Sequence, residues 1–127
     1  TFAFTSGTAP ESGIDLEPND NDSISNVEIN HCDLHDNAGF GIVASNNKKL
    51  HGASISNISL LDNTVSNNKH YGIAMMGIIS HGQVVGNHAV SNNRYDIYST
   101  SDVSLDRMQN NTVSSGIKRI RLNATHF

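Results

Sequence analysis

The feature that most constrains this chain is an internal repeat of short segments rich in asparagine, glycine and serine. The segments SISNVEINHCDLHDNAGFGI (23–42) and SISNISLLDNTVSNNKHYGI (54–73) align without a gap, so that Ser23 corresponds to Ser54 and Ile42 to Ile73. Related segments follow at 82–97 and 107–117, with insertions and deletions between them. Repeats of this length predict a solenoid, in which each turn of chain buries its apolar side only by stacking on its neighbours.

Three rows of apolar residues recur through the repeat. Isoleucines that follow Gly or Asp anchor the first row, and the last interval between them is the shortest. Around these rows apolar and polar residues alternate over short stretches, which is typical of half-buried strands and not of helices. The predicted rows are Ile14, Ile42, Ile73, Ile97 and Ile117; Leu34, Val65, Val90 and Val113; and Ile29, Leu60, Val85 and Met108. The building block is therefore a short strand.

Asparagines beside the predicted strands indicate polar corners. Asparagine tolerates the left-handed backbone conformation, hydrogen-bonds its own backbone, and stacks on asparagine in the next coil as an amide ladder. Cys32 and His88 fall in the same predicted column as the ladder and are therefore interpreted as structural residues. The predicted ladder residues are Asn63, Asn68, Asn93 and Asn111.

The repeated xxGI and NTV-SNN patterns resemble those of the right-handed parallel β-helix superfamily that includes pectate-lyase-like and phage tailspike-like proteins. The resemblance extends from about Gly13 to Leu122. It implies an all-β fold, a right-handed parallel β-helix solenoid of about five coils, in an extracellular, cell-surface or virion-associated protein. We expect a single domain over the chain, divided into a leader segment, coils and a tail at 1–12, 13–122 and 123–127.

The ends of the predicted solenoid require cover. Residues 1–13 contain no amphipathic helix pattern that would close the first coil. Open solenoid ends expose unpaired strands. We therefore expect a fragment of a longer β-helix, whose end is covered by flanking β-helix coils or by a homotrimer.

Parity along the strands predicts which side chains face the core. If the anchor isoleucines point inward, so do the residues two positions before them. That column is Ser12, Phe40, Tyr71, Tyr95 and Ser115, and its three adjacent aromatics favour a packed core. Two rows are predicted to face outward: Asp15, Val43, Ala74, Tyr98 and Lys118, and Glu17, Ser45, Met76, Thr100 and Ile120.

Composition excludes several classes of partner. The net charge is −4 and charged residues make up 16% of the chain, whereas a nucleic-acid groove requires a clustered basic surface. The single cysteine, Cys32, forms no intrachain disulfide, and no zinc-finger spacing is present. The longest apolar run, GIAMMGII at 72–79, is too short to span a membrane. These patterns predict neither a nucleic-acid partner nor a membrane span.

The candidate catalytic residues are Asp15 and Glu17, in the stretch GIDLEPND. Two residues apart on one face of a strand, their Cα atoms lie roughly 7 Å apart. Most glycoside hydrolases use two carboxyl groups that flank the glycosidic bond, and side chains at this Cα spacing can reach the separation that either the retaining or the inverting reaction needs. Mutual repulsion raises the pKa of one partner, which then acts as the acid while the other stays ionised. An alternative is a solvated acidic rim without catalytic duty.

Other polar residues are candidates for contacts with a substrate. Asp20 lies in the polar corner after Pro18, His70 and Arg94 precede two anchor strands, and outward-facing Tyr98 would stack on a sugar ring. Arginine pairs with acidic sugars through bidentate hydrogen bonds. We predict no resident metal or cofactor. The acidic stretch Asp15–Asp22 offers oxygen ligands of the kind that Ca²⁺ prefers, but it lacks a calcium-loop spacing.

A β-helix presents a long shallow groove that suits an extended polymer, so polysaccharide is the predicted partner. The leading hypothesis is an enzyme that cleaves a surface or cell-wall polysaccharide, by hydrolysis or elimination. Two alternatives stay open: a structural or glycan-binding solenoid, such as a spike shaft or adhesin, and a polysaccharide epimerase. The paired aspartates of the pectinase branch are missing, and only His81-Gly82 and the stretch 118–121 are similar to its other motifs.

Overall fold

The computed structural model describes residues 1–8, 11–46, 52–114 and 120–122, the last three by their backbone alone. The described residues form fourteen strands and no helix. The strands are β1 (Phe2–Ala3), β2 (Ile14–Leu16), β3 (Ser23–Asn30), β4 (Asp33–His35), β5 (Ile42–Asn46), β6 (Ser54–Leu61), β7 (Thr64–Ser66), β8 (Ile73–Gly77), β9 (Ile79–Val85), β10 (His88–Val90), β11 (Ile97–Ser99), β12 (Val103–Gln109), β13 (Thr112–Val113) and β14 (Ile120–Leu122).

The strands assemble into three parallel sheets that the chain visits in turn. Sheet A has the order β1-β4-β7-β10-β13, sheet B has β2-β5-β8-β11-β14, and sheet C has β3-β6-β9-β12. Every strand pair is parallel, and each circuit through the three sheets is one coil of a solenoid. The predicted all-β parallel solenoid is confirmed. The described residues make four complete circuits plus β13 and β14, slightly fewer than the five predicted coils.

The anchor row lies in sheet B, as the repeat predicts. Cα pairing joins Ile14 to Ile42, Ile42 to Ile73, and Ile73 to Ile97. The last member was predicted wrongly, because Ile97 pairs with Ile120. Ile117 lies outside the described residues. The interval from Ile97 to Ile120 nearly equals that from Ile73 to Ile97. The last two coils therefore have almost the same number of residues, whereas the predicted pairing with Ile117 made the last coil shorter.

The other two rows are confirmed except at one position in each, where the prediction is wrong by one residue. Leu34 and Val65 are followed by Ala89, not Val90, and that row ends at Val113. Ile29 and Leu60 are followed by Val84, not Val85. Val65 to Ala89 and Leu60 to Val84 are equal offsets along the chain, and the same offset joins Ile73 to Ile97. In the first of these rows it places alanine where the pattern of large apolar residues suggested valine. Ala89 is fully buried, whereas Val90 is half-buried.

Two ladders of buried asparagines fix the corners of the coils. At the corner between sheets C and A, the side-chain amide of Asn63 donates to Oδ1 of Asn87 (3.0 Å), and that of Asn87 donates to Oδ1 of Asn111 (3.1 Å). The backbone N–H of Cys32 begins this ladder by donating to Asn63 (2.9 Å). His88 is not a member: it is exposed in β10, and Asn87 occupies the predicted position.

The second ladder lies at the corner between sheets A and B. The amide of Asn37 donates to Asn68 (2.9 Å), Asn68 donates to Asn92 (2.9 Å), and Asn92 donates to the buried carboxylate of Asp96 (3.0 Å). The ladder residue of the fourth coil is therefore Asn92, whereas the predicted Asn93 is exposed. Each rung also donates to a backbone carbonyl, as Asn68 does to Leu34 (3.1 Å). Buried amides are thus paired, which removes the cost of burying them.

Candidate functional site

The predicted catalytic pair lies in the first coil. Asp15 is the central residue of β2, and Ile14 and Leu16 on either side of it are half-buried against the core. The side chain of Asp15 is exposed, as is that of Glu17 immediately after the strand. Pro18 is buried and ends the extended segment. Both carboxylates therefore face solvent at the first strand of sheet B.

Partial burial raises the pKa of the Asp15 carboxyl, and the negative charge of nearby Glu17 raises it further. Both causes disfavour the ionised form, the first by removing water and the second by repulsion. Asp15 therefore keeps its proton to a higher pH than an ordinary aspartate.

Asp15 and Tyr98 belong to the same register row of sheet B but are not neighbours. The row runs from Asp15 through Val43 and Ala74 to Tyr98. Three strand spacings separate its ends, which amounts to about 14 Å. Val43 and Ala74 were predicted to be exposed but are buried, so an apolar stretch divides the acidic end of the row from the tyrosine.

Asp20 lies in the turn between β2 and β3 and is exposed. The backbone N–H of Asp22 donates to the carbonyl of Asn19 (3.0 Å) and closes this turn, with Asn21 in the left-handed conformation at a φ of 63°. Asp20 thus belongs to the same coil as the carboxylate pair. The acidic candidates gather at the N-terminal end of the solenoid.

His70 and Arg94 lie one above the other in consecutive coils. The backbone N–H of Arg94 donates to the carbonyl of His70 (3.1 Å), and that of His70 donates to Gly39 (3.0 Å). The N–H of Gly39 in turn donates to Glu11 (2.9 Å). Glu11 is a residue that the sequence interpretation missed, although it stands three residues before its anchor isoleucine, as His70 and Arg94 do.

Next to that row lies a stack of aromatic rings. The centroid of Tyr71 is 5.5 Å from Phe40, 6.0 Å from Tyr95 and 4.6 Å from Tyr98, whose ring is nearly parallel to it at 4°. The ring of His70 stacks on Phe40 at 5.5 Å. The structure therefore joins His70 and Tyr98 through one aromatic cluster in the second to fourth coils, and Arg94 is attached to it by its backbone hydrogen bond to His70.

The aromatic rings lie at the surface and not in the core, so their predicted inward orientation is wrong. Phe40, Tyr71 and Tyr95 are half-buried. The reason is the glycine that follows two of them: a Cβ at Gly41 or Gly72 would collide with the ladder amide of Asn68 or Asn92. Because the glycines face the inside of the corner, the residues before them face outward.

Ring stacking limits how the cluster can contact a ligand. Tyr71 covers one face of Tyr98, so the predicted stacking of a sugar on Tyr98 loses that face. Stacked rings offer mainly their edges and, for tyrosine, a hydroxyl that both donates and accepts hydrogen bonds. The cluster is therefore better suited to hydrogen bonding with hydroxyl groups than to broad ring stacking.

The surface that carries these residues is open. No pocket forms among the residues that the structure describes. Within the same residues, no group of three or more His, Cys, Asp or Glu side chains is arranged to hold a metal ion. Nor does the described part of the chain include a helix long and apolar enough to cross a membrane.

Comparison with known proteins adds no family. No family model, curated protein or solved structure matches the chain. The fold itself defines the class: a parallel β-solenoid with asparagine ladders at two corners, an acidic first coil, and an aromatic cluster along one edge of sheet B.

Proposed function

We propose that this β-solenoid binds an extended polysaccharide along the outer face of sheet B and cleaves it at the Asp15–Glu17 end. The observation that carries the proposal is that Asp15 and Glu17 are both exposed, two residues apart on one short segment at β2, where partial burial and the charge of Glu17 raise the pKa of Asp15. A pair of carboxyl groups of which one holds its proton is the arrangement that glycoside hydrolysis uses.

The proposed reaction is glycosidic bond hydrolysis. Asp15 donates its proton to the glycosidic oxygen, and the bond from that oxygen to the anomeric carbon breaks. In the inverting form, Glu17 takes a proton from the water that attacks the anomeric carbon. In the retaining form, Glu17 attacks that carbon itself, and water then releases the sugar while Asp15 regains its proton. Both forms use one water. The retaining form returns both carboxyl groups to their starting state, whereas in the inverting form Glu17 then gives its proton to solvent and Asp15 takes one up from solvent.

The aromatic cluster provides the second contact with the same polymer. His70 and Tyr98 offer hydrogen-bonding groups, and Arg94 offers a guanidinium that is exposed. About 14 Å separates Asp15 from Tyr98 along the register row. A polymer reaches across this distance, whereas a small metabolite does not. Asp20 lies beside the pair at the acidic end and completes the proposed binding surface.

The proposed substrate indicates where the protein acts. Such polysaccharides coat cells, so the proposed location is extracellular, on a cell surface or on a virion. The resemblance of the repeat to pectate-lyase-like and tailspike-like β-helix proteins supports this setting, including assembly as a homotrimer or with flanking coils. A resemblance in fold does not identify the reaction, which is inferred from the residues of the site.

A second candidate is a solenoid that binds polysaccharide without cleaving it. The open surface favours it, because Asp15 and Glu17 are both exposed and the described residues form no pocket that would exclude water from a reacting bond. In this case the acidic first coil is a solvated rim, and the aromatic cluster is the site of binding.

Incubation with a panel of bacterial and plant polysaccharides separates the two candidates. The reducing ends and unsaturated sugars that appear are measured for the wild type, Glu17→Gln, Asp15→Asn and the control Asp22→Asn, an exposed carboxylate of the same coil. The proposal predicts loss of cleavage in the first two variants alone. Binding without shortening of any polymer supports the second candidate, and altered sugar configuration at constant length supports an epimerase. Undiminished cleavage by both Asp15→Asn and Glu17→Gln removes the pair from the mechanism.

A further inference from the structure

All three tyrosines of the chain lie in the aromatic cluster. The sequence contains three tyrosines and no tryptophan. Tyr71 precedes β8 in the third coil, whereas Tyr95 precedes β11 and Tyr98 lies within it in the fourth coil. Each ring contacts the other two, with centroid distances between 4.6 and 6.0 Å. The fold therefore gathers every phenol group of the chain at one place on the surface.

The rings of Tyr71 and Tyr98 form the closest and most nearly parallel pair. Their centroids are 4.6 Å apart at an interplanar angle of 4°, whereas each ring lies 6.0 Å from Tyr95, at angles of 21° and 24°. The backbone N–H of Gly72 donates to the carbonyl of Tyr95 (2.9 Å). The Cα atom of Tyr98 pairs with that of Ala74 in the register of β8 and β11. Parallel pairing of the two strands therefore holds the rings together.

The three tyrosine side chains are also half-buried, so part of each ring is open to solvent. A phenol at a protein surface gives one electron and its hydroxyl proton to a one-electron oxidant and becomes a phenoxyl radical. Two such radicals join at a rate that depends on how close their rings lie. A partner held in place acts like a reactant at very high concentration, so the stacked pair favours coupling within one chain over coupling between chains.

We propose that Tyr71 and Tyr98 are a site of oxidative cross-linking, at which a haem peroxidase with hydrogen peroxide forms a dityrosine bond between the third and fourth coils. Each ring loses one electron and its hydroxyl proton, and a new bond joins the two ring carbons that lie beside the hydroxyl-bearing carbons. The hydrogen on each joined carbon then moves to the oxygen of its own ring. One hydrogen peroxide takes up the two electrons and two protons and becomes two waters, so the protein loses two hydrogen atoms.

The new bond closes a covalent loop from Tyr71 to Tyr98. This loop contains β8, β9 and β10 and ends within β11. A covalent loop restricts the unfolded chain more than the folded one, as a disulfide does. The oxidised protein therefore unfolds at a higher temperature. The proposal does not depend on polysaccharide binding, because it rests on the contact between two rings.

Oxidation of the whole chain with a haem peroxidase and hydrogen peroxide tests the proposal. Dityrosine fluorescence is followed at several protein concentrations, mass spectrometry measures the monomer, and fragmentation of its peptides shows which tyrosines are joined. The variants are Tyr71→Phe and Tyr98→Phe, with Tyr95→Phe as the matched control from the same cluster. Phenylalanine keeps the stacked ring and removes only the hydroxyl. Circular dichroism confirms that each variant folds.

In the wild type we expect a monomer lighter by two hydrogen atoms, a bond between Tyr71 and Tyr98, a raised Tm, and a yield that does not change with protein concentration. The initial rate of dityrosine formation should fall by about tenfold or more in Tyr71→Phe and Tyr98→Phe and stay at the wild-type value in Tyr95→Phe. Cross-linked dimers whose yield rises with concentration overturn the proposal, as does a bond to Tyr95 in place of Tyr98. So does an absence of dityrosine when the same enzyme couples a free tyrosine derivative in a separate reaction.

Discussion

The first and second coils begin sheet C with the same four residues, SISN, yet the two copies have different surroundings. Ile24 in the first coil is half-buried, while Ile55 in the second has 2% of its surface exposed. Their Cα atoms pair directly, so backbone geometry does not distinguish them. What differs is that Ile55 has a coil on either side. In a solenoid, burial is a property of the neighbouring coil as much as of the residue.

This difference extends to polar groups. The amide of Asn68 contacts rungs on both sides, accepting from Asn37 and donating to Asn92. Cys32 stands at the start of the other ladder, where it takes part only through its backbone N–H and a weak contact of its thiol with the carbonyl of Asn30. Interior coils therefore gain both apolar burial and paired amides, and the first coil gains only part of each.

The largest effect is expected for truncation of the buried isoleucine. Replacing Ile55 with alanine should lower the free energy of unfolding by about 3 kcal/mol, because it removes buried methyl groups and leaves a cavity between two coils. The matched change Ile24→Ala should cost about 1 kcal/mol, since that side chain is already partly in water. Urea unfolding measures both. Equal losses would show that the outer side of β3 is covered in solution.

The asparagine ladder gives the next effect. Replacing Asn68 with alanine removes the side-chain acceptor of the buried backbone N–H of Asn37 and one hydrogen bond each from the Asn37 amide, Oδ1 of Asn92 and the carbonyl of Leu34, and should cost about 2 kcal/mol. Asn93 is the control, because its side chain is exposed and its removal should cost less than about 0.5 kcal/mol. A comparable loss for both variants in thermal or urea unfolding would contradict the ladder.

The free energy of unfolding should rise by about 0.5–1 kcal/mol if a further asparagine is added to the start of the ladder at residue 32. An asparagine introduced by Cys32→Asn is placed to donate its amide to Oδ1 of Asn63, which already accepts from the backbone N–H of residue 32. The shorter Cys32→Ser serves as the control, because its hydroxyl does not extend as far. Stabilities of the two variants that match each other would argue against extension of the ladder.

The smallest effect concerns Asp15 and depends on pH. Because the pKa of Asp15 is raised in the folded state, the folded protein binds more protons than the unfolded chain just above the ordinary value of 3.8. The contribution of this carboxyl to stability therefore falls as pH rises through that window. Asp15→Asn should slightly raise Tm at about pH 7 and leave it unchanged at about pH 3.

Differential scanning calorimetry at the two pH values measures this change. Asp22→Asn is the control, since the mechanism requires a carboxyl that is partly desolvated and close to Glu17. A lower Tm for Asp15→Asn at neutral pH would show that the ionised carboxylate stabilises the fold.

Much of the fold was predictable because stacking makes equivalent residues recur. The offset between the first two full repeats places Ile42 on Ile73 and Leu34 on Val65, as the structure confirms. The errors came from preferring residue type over spacing. Val90 is the larger apolar residue, but Ala89 follows Val65 at the same offset at which Ile97 follows Ile73, and it fills the core position.

The candidate site was less predictable, because it depends on corners. Counting alternate residues through the corner placed Tyr71 inside, but Gly72 turns toward the ladder and directs Tyr71 outward. Tyr98 thus stacks on a ring that was expected in the core. Asp15 and Tyr98 share a register row, but buried Val43 and Ala74 lie between them. The repeat alone predicted the shared row and did not predict that its middle residues are buried.

The sequence by itself determined the repeat, the strand character of each segment and the parallel solenoid, because period-two alternation and recurring corners leave few other ways to bury the apolar rows. Only the tertiary structure decided which residues become fully buried and which asparagines pair. These properties depend on the coil stacked above or below each residue, and a side chain acquires that neighbour only when the chain has closed another turn.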